Sequence, residues 1–293
     1  MDPQYEFEAH SSYVLGVLFT PDSGNLVSAS MDNTIKVWQV PGWELLREFK
    51  GHSNSVNGIA ISPDRKTLAT GSSDQTVKLW SLEGGDLLTT MQDRKKVVSA
   101  IEFSPDGKWI GAVSYGGRAM IWDLTGEPVV GIKVSDKNLA ALAFSQDGET
   151  LATAGLGGDI TLWSLPTGKK VRTLSGHKVA VVSLTYIHNG RYLVSMEYKG
   201  TIKFWETGTW EDMQTISVDK ARIRGLAFSP DEKTIALSLE SMVQLRSVDD
   251  WTLGTDLPVS TKVINGMAFS PDGRWFAAGA ADRKIRIWEN PLA

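Results

Sequence analysis

Residues 51–80 read GHSNSVNGIAISPDRKTLATGSSDQTVKLW, and the pattern of this stretch returns along the whole chain. It opens with Gly51-His52 and closes on Trp80. Tryptophan takes the closing position in six places, at intervals of 42, 42, 41, 42 and 83 residues: Trp38, Trp80, Trp122, Trp163, Trp205 and Trp288. The last interval is a double one with Arg246 at its middle, so the sequence indicates seven repeats.

A second column of large apolar or aromatic residues keeps step with the first. It leads the closing position by 19 residues, or by 18 in the sixth repeat, and comprises Phe19, Ile61, Phe103, Phe144, Tyr186, Phe228 and Phe269. Segments such as Ser104-Pro105-Asp106-Gly107 follow this column. They are typical of turns, because proline fixes φ near the value that a turn requires and glycine accepts a positive φ. Period-two alternation, as in Ile35 and Val37, then indicates a strand. Each repeat thus predicts four short antiparallel strands.

Four strands per repeat cannot bury both of their faces alone, whereas seven sheets packed radially can. Only five residues follow Trp288, too few for a last fourth strand, and an extended segment, Gln4 to Glu8, precedes the first repeat. We therefore predict an all-β, seven-bladed β-propeller of four-stranded antiparallel blades. It forms a single domain over residues 1–293, closed by the N-terminal segment, which completes the last blade.

The repeats resemble the WD40-repeat (β-transducin-like) family, which is marked by Gly-His, a turn Asp and a Trp. The resemblance implies a hydrogen-bonded tetrad of His, Ser or Thr, Asp and Trp that holds each blade together. In the first repeat these residues are His10, Ser28, Asp32 and Trp38, and in the second they are His52, Thr70, Asp74 and Trp80.

The other repeats depart from this pattern. The His position holds Arg94, Ser135, Asp219 and Ser260 in repeats three, four, six and seven. The turn Asp is replaced by Gly116, Gly157 and Lys199 in repeats three to five. Only the first two repeats look complete. In the sixth, we predict that Arg246 pairs with Asp219 or Glu240.

Composition narrows the function. The net charge of −4 and the pI near 5.7 weigh against a protein that grips nucleic acid through its phosphates. The chain has no cysteine for a disulfide or a thiolate metal site, and no apolar run of the ~20 residues that a membrane span needs. Residues 1–8 do not resemble a signal peptide. We expect a soluble, cytoplasmic protein.

Catalysis is not expected, and neither is a cofactor or a metal. Three of the four histidines, His10, His52 and His177, stand at the tetrad position, and His188 lies in a turn. No phosphate-binding loop appears. We therefore expect a noncatalytic scaffold, with two alternatives: an anionic ligand, either nucleic acid or phospholipid, held by basic loops including Arg94, Lys95 and Lys96, or an enzyme with its site at the central channel.

The resemblance also implies that three positions per blade line one mouth of the channel. Large apolar side chains occupy several of these positions where the fold needs none, and two arginines could bind a carboxylate. The predicted surface for a protein or peptide partner is Tyr13, Met31, Tyr115, Leu156, Tyr198, Arg222, Arg224 and Leu239. The alternative is that these side chains pack on one another over the channel.

A second docking surface on the opposite face is a further expectation, formed by Trp43, Trp210, Trp251 and Trp275. Here the alternative is that each tryptophan covers a neighbouring hairpin.

Overall fold

The computed structural model describes residues 1–92, 96–218, 222–259 and 262–289. Within these ranges 28 β-strands form seven four-stranded antiparallel sheets, and the described residues include no helix. The architecture is the predicted seven-bladed β-propeller. Arg94, Lys95, Asp219 and Ser260, which the sequence singled out, lie outside the described residues.

Each blade runs along the chain from its inner to its outer strand. Blade one comprises β2 (Val14–Phe19), β3 (Asn25–Ser30), β4 (Ile35–Gln39) and β5 (Leu45–Phe49). Blade two comprises β6 (Val56–Ile61), β7 (Thr67–Ser72), β8 (Thr76–Ser81) and β9 (Leu87–Gln92). Blade three comprises β10 (Val98–Phe103), β11 (Trp109–Ser114), β12 (Arg118–Asp123) and β13 (Pro128–Lys133).

Blades four to six follow the same order. Blade four comprises β14 (Leu139–Phe144), β15 (Thr150–Gly155), β16 (Ile160–Ser164) and β17 (Lys169–Leu174). Blade five comprises β18 (Val181–Ile187), β19 (Tyr192–Glu197), β20 (Thr201–Glu206) and β21 (Asp212–Ser217). Blade six comprises β22 (Ile223–Phe228), β23 (Thr234–Leu239), β24 (Met242–Ser247) and β25 (Leu253–Pro258).

Blade seven combines both ends of the chain. It contains β26 (Ile264–Phe269), β27 (Trp275–Ala280) and β28 (Lys284–Glu289), and its fourth strand is β1 (Tyr5–Glu8). The N-terminal segment therefore supplies the outer strand that the sequence predicted for it. Glu6 faces Arg286 across the pair and forms ion pairs with Arg286 and Lys284, while the Trp288 indole N–H donates to the Met1 carbonyl at 3.1 Å.

The chain divides into two compact units. The terminal unit comprises residues 1–59 and 222–293 and contains blades one, six and seven, and the central unit comprises residues 60–221 and contains most of blade two and blades three to five.

The core of each unit lies between neighbouring sheets. In the central unit, buried residues of blades three and four, including Ile121 and Leu151, form one cluster, and those of blades four and five form another. In the terminal unit, blades seven and one share a cluster that includes Val14 and Ile287. A Cβ added to Gly266 would lie 2.7 Å from Gly16 Cα, so these inner strands approach closely enough to require glycine. Close packing of β2 against β26 thus explains why both strands carry glycine at this point.

Candidate partner-binding surface

The first blade carries a complete tetrad. The Ser28 hydroxyl lies 2.8 Å from His10 Nε2 and accepts from the Trp38 indole N–H at 2.9 Å, and His10 Nδ1 lies 3.0 Å from Asp32. Burial lowers the pKa of His10 despite the nearby carboxylate. Burial alone would raise the pKa of Asp32, but the hydrogen bond from the Thr34 hydroxyl, the electrostatic effect of His10 and the backbone N–H groups of Ser11 and Thr34 lower it to about 2. The group is a buried structural network, since its polar atoms are occupied by one another.

In the second blade, the Trp80 indole N–H donates to Thr70 Oγ1 at 2.9 Å, and His52 is buried. Asp74 stabilises its turn by accepting from the Thr76 backbone N–H at 2.9 Å and from the Thr76 hydroxyl at 2.6 Å.

The fifth blade has a tetrad that sequence reasoning missed. The Ser195 hydroxyl lies 2.7 Å from His177 Nε2 and accepts from the Trp205 indole N–H at 2.8 Å. The acid is Glu197, two residues before the usual turn position, which holds Lys199. Glu197 accepts from the Lys178 backbone N–H at 2.8 Å and from Thr201 Oγ1 at 2.9 Å.

Glu197 supplies the negative charge beside His177 that an aspartate in the turn supplies in blade one. Its carboxylate lies 3.4 Å from His177 Nδ1, which is an ion-pair distance although Nδ1 makes no hydrogen bond. Burial alone would raise the pKa of Glu197, but the bonds from Lys178 and Thr201 and the nearby His177 lower it. The signal in the sequence was an acid with one more methylene, placed at the last residue of β19 and not in the turn that follows it.

The predicted mouth residues are equivalent in blades one, three, four and five but not in blade six. In those four blades the residue that follows the second strand donates its backbone N–H to the carbonyl of the residue just before the inner strand, whereas in blade six the predicted Leu239 is the last residue of β23 and pairs with Ile223, so Glu240 takes that place. The bonds are Met31 to Tyr13 at 3.0 Å, Tyr115 to Val97 at 2.9 Å, Leu156 to Asn138 at 3.0 Å and Tyr198 to Ala180 at 2.9 Å. These side chains therefore emerge from the same end of their sheets.

The exposure of the predicted surface residues separates them from the core. In the central unit Tyr115 is 46% exposed, Leu156 is 54% exposed and Tyr198 is partly exposed. In the terminal unit Tyr13 and Met31 are 48% and 43% exposed. Leu239 is partly exposed there, and Arg222 and Arg224 are exposed.

The predicted docking surface of tryptophans is wrong for two of its four members. Trp43 and Trp275 are buried and pack edge to face, with ring centroids 5.3 Å apart, and the Tyr5 ring lies 5.7 Å from Trp43. Trp210 is partly buried against the core of blades four and five. The structure therefore favours the alternative in which these side chains cover neighbouring strands.

Arg246 does not make the predicted contact with Glu240. Its Nε donates to Gln244 at 2.8 Å, an outer nitrogen donates to the Trp251 carbonyl at 3.1 Å, and the guanidinium lies 5.4 Å from the Trp251 ring centroid. The cation–π contact suits a half-buried arginine because the ring face replaces part of its hydration. The other predicted partner, Asp219, is among the residues that are not described.

Two further observations concern site chemistry. Within the described ranges, no group of three or more His, Cys, Asp or Glu side chains is placed to hold a metal ion. The same residues include no helix with the length and hydropathy of a membrane span.

Comparison with known families agrees with the geometry. The family described as IFT122 first beta-propeller matches residues 13–222, and the WD domain, G-beta repeat, matches residues 251–289. Comparison with curated proteins finds no match. Because the first family matches more than half of the sequence, the chain belongs to this family of WD40-repeat β-propellers.

Proposed function

We propose that this protein is a noncatalytic scaffold that binds a protein or peptide through Tyr115, Leu156 and Tyr198, here called the apolar triplet. WD40 β-propellers generally serve as scaffolds for protein interactions. The triplet lies on three successive blades of the central unit, at one end of their sheets.

The observation that carries the proposal is the exposure of large side chains where the fold tolerates small ones. The same position holds Ser73 in blade two and Ala281 in blade seven, so the backbone arrangement needs no bulk there. Tyr115 and Leu156 nevertheless keep about half of their surface in solvent, 46% and 54%. Exposed aromatic and aliphatic groups clustered on a rigid scaffold are typical of partner-binding anchors.

The terminal unit offers groups of a different kind, at the start of an inner strand. Arg222 and Arg224 flank the buried Ile223 on β22 and are both exposed. A guanidinium binds a carboxylate with two parallel hydrogen bonds, so this pair suits an acidic group of a ligand. Tyr13 and Met31 add exposed apolar surface in the same unit.

The test is the double variant Tyr115→Ala, Tyr198→Ala. Truncation of an anchor residue typically costs about 2 kcal/mol or more, so partner affinity should fall by at least about thirtyfold. The matched control is Leu124→Ala, Met213→Ala, which removes side chains that are 47% and 55% exposed elsewhere in the central unit. Proteins captured by the wild type are quantified against both variants.

Thermal unfolding accompanies the capture experiment. The melting temperature should stay close to that of the wild type, because truncating half-exposed side chains changes stability little. Equal capture by both variants, or unfolding of the tyrosine variant alone, would contradict the proposal, since the tyrosines would then be idle or part of the core.

A further inference from the structure

Blades three to five lack the acid that earlier blades place at the turn. Blades one and two have Asp32 and Asp74 there, whereas the next three have Gly116, Gly157 and Lys199. Each of these three residues, which stand where blades one and two have an aspartate, directly follows a member of the apolar triplet. The surroundings of the triplet have therefore lost negative charge.

Lysines lie beside the two glycines. A Cβ added to Gly116 would lie 3.4–3.6 Å from side-chain carbons of Lys96, and one added to Gly157 would lie 3.9 Å from Lys137 Cδ. Both lysines stand seven residues before the large residue that ends their inner strand, Phe103 or Phe144, so they occupy the same place in successive blades. Both are exposed, and their aliphatic stems lie next to the turns that carry Tyr115 and Leu156.

The fifth blade adds two exposed lysines, Lys178 and Lys199. Glu197, which lies two residues before Lys199 and accepts from the Lys178 backbone N–H, is buried and engaged by His177 and Thr201. The Glu197 carboxylate thus makes its contacts inside the blade, and the two lysine side chains keep their positive charges at the surface.

Few other acids reach this end of the three sheets. In the described part of blades three to five they are Asp136 and Asp159. Asp136 pairs with Lys133 at 3.0 Å, and Asp159 accepts from the Ser175 hydroxyl at 2.6 Å. Lys96, Lys137, Lys178 and Lys199, here called the lysine group, therefore make this face basic in a chain whose net charge is −4.

We propose that this face of the central unit binds an acidic protein segment, whose apolar residues pack on the apolar triplet while its Asp and Glu carboxylates pair with the lysine group. This inference rests on the proposed function and names the chemistry of the partner. Charge complementarity selects the occupant, because a basic patch attracts acidic segments and speeds their association. The net charge of −4 favours a peptide over nucleic acid, because proteins that bind nucleic acid through its phosphates usually carry a net positive charge.

The experiment measures fluorescence anisotropy with the full chain and short labelled peptides. One peptide alternates Glu with Leu and Phe, a second replaces the apolar residues with Ser, and a third replaces Glu with Lys. We expect saturable binding of the first peptide only, weakening at least tenfold as NaCl rises from about 50 to about 300 mM. Binding of the Lys peptide equal to that of the Glu peptide, or no measurable binding of the Glu–apolar peptide, would overturn the proposal.

Charge reversal locates the site. The variant Lys96→Glu, Lys137→Glu, Lys178→Glu should lower the affinity for the acidic peptide by at least about tenfold. The control Lys169→Glu, Lys170→Glu, Arg172→Glu changes the net charge by the same amount, at exposed positions on β17, and should lower it by less than about twofold. Equal losses in both variants would mean that only net charge matters, and would overturn the proposal.

The outcome also separates the two proposals. Loss of binding in Tyr115→Ala, Tyr198→Ala without loss in the lysine variant would keep the apolar scaffold and reject the acidic partner. Loss in the lysine variant alone would keep the acidic partner and reject the triplet as its anchor. Tighter binding of single-stranded DNA or of anionic vesicles than of the acidic peptide would reject a protein segment as the occupant.

Discussion

Replacing Glu102 with glutamine is expected to stabilise this protein at neutral pH. Glu102 lies on the inner strand β10, where its carboxylate accepts a hydrogen bond from the Phe144 backbone N–H on the neighbouring inner strand β14. Burial raises the pKa of Glu102 from 4.5 to about 8, against the effect of that hydrogen bond. The native state therefore keeps a proton that the unfolded chain releases.

The size of the effect follows from linkage. Below about pH 4.5 the group is protonated in both states, and above about pH 8 it is ionised in both. Between these limits the free energy of unfolding falls as pH rises, by about 1.4 kcal/mol per unit, or about 3 kcal/mol at pH 7. Glu102 keeps some contact with solvent, so about 2 kcal/mol is the expected cost. Glutamine has the same shape and keeps a carbonyl oxygen as hydrogen-bond acceptor, but it does not titrate, so its contribution to stability does not depend on pH.

The assay is urea unfolding of the wild type and Glu102→Gln at about pH 5, 6, 7 and 8. We expect nearly equal stabilities at pH 5 and a gap that widens in favour of the variant up to pH 8. The exposed Glu83→Gln serves as the control and should follow the wild type at every pH. Parallel curves for the wild type and Glu102→Gln would refute the reasoning, because they would show that this carboxyl group titrates alike in the folded and unfolded chains.

Three further variants test individual contacts. Ser195→Ala removes the hydroxyl shared by His177 and Trp205 and should lower the free energy of unfolding by about 2–3 kcal/mol in urea titrations; no change would mean that the fifth tetrad contributes nothing. Deleting residues 1–8 leaves the β28 edge unpaired and should lower the melting temperature by several degrees, about 4 °C or more, measured by circular dichroism; an unchanged value would show that β1 is dispensable. Trp43→Gly relieves a backbone φ of 59° but empties a buried aromatic site, so a net loss of about 2–3 kcal/mol is expected, and stabilisation would mean that strain outweighs packing.

The strands were predictable because their signals are local and repeated. Turns such as Ser104-Pro105-Asp106-Gly107 and the columns ending at Trp80 and Trp122 fix where strands begin and end. The place of β1 was predictable because an extended segment precedes the first repeat and the seventh repeat offers only three strands of its own. Such arguments need only the period of the repeat.

The contacts between blades were less predictable because they depend on residues distant in sequence. Trp43 resembles a surface residue until Tyr5 and Trp275 of blade seven are placed against it. Arg246 was expected to need an acid, but a tryptophan five residues later supplies a ring face and a carbonyl. In both cases the repeat predicts where the side chain lies along the chain. Its contact partner depends on a neighbouring strand or turn, which the repeat does not specify.

Glu197 shows how stability and surface charge can be separated within one repeat. In blade one the acid lies in the turn, where Asp32 accepts a hydrogen bond from the Thr34 backbone N–H as well as contacting His10. Moving the acid back to the strand keeps the hydrogen bonds to Lys178 and Thr201 but frees the turn position for Lys199. Replacing Glu197 with alanine and Lys199 with aspartate should therefore largely restore the tetrad, because the shorter acid would return to the position from which Asp32 acts. The same double variant should weaken binding of the acidic peptide, because a positive charge beside Tyr198 becomes negative. Retained stability with weakened binding is the expected pair of results, and loss of stability without any change in binding would contradict the separation.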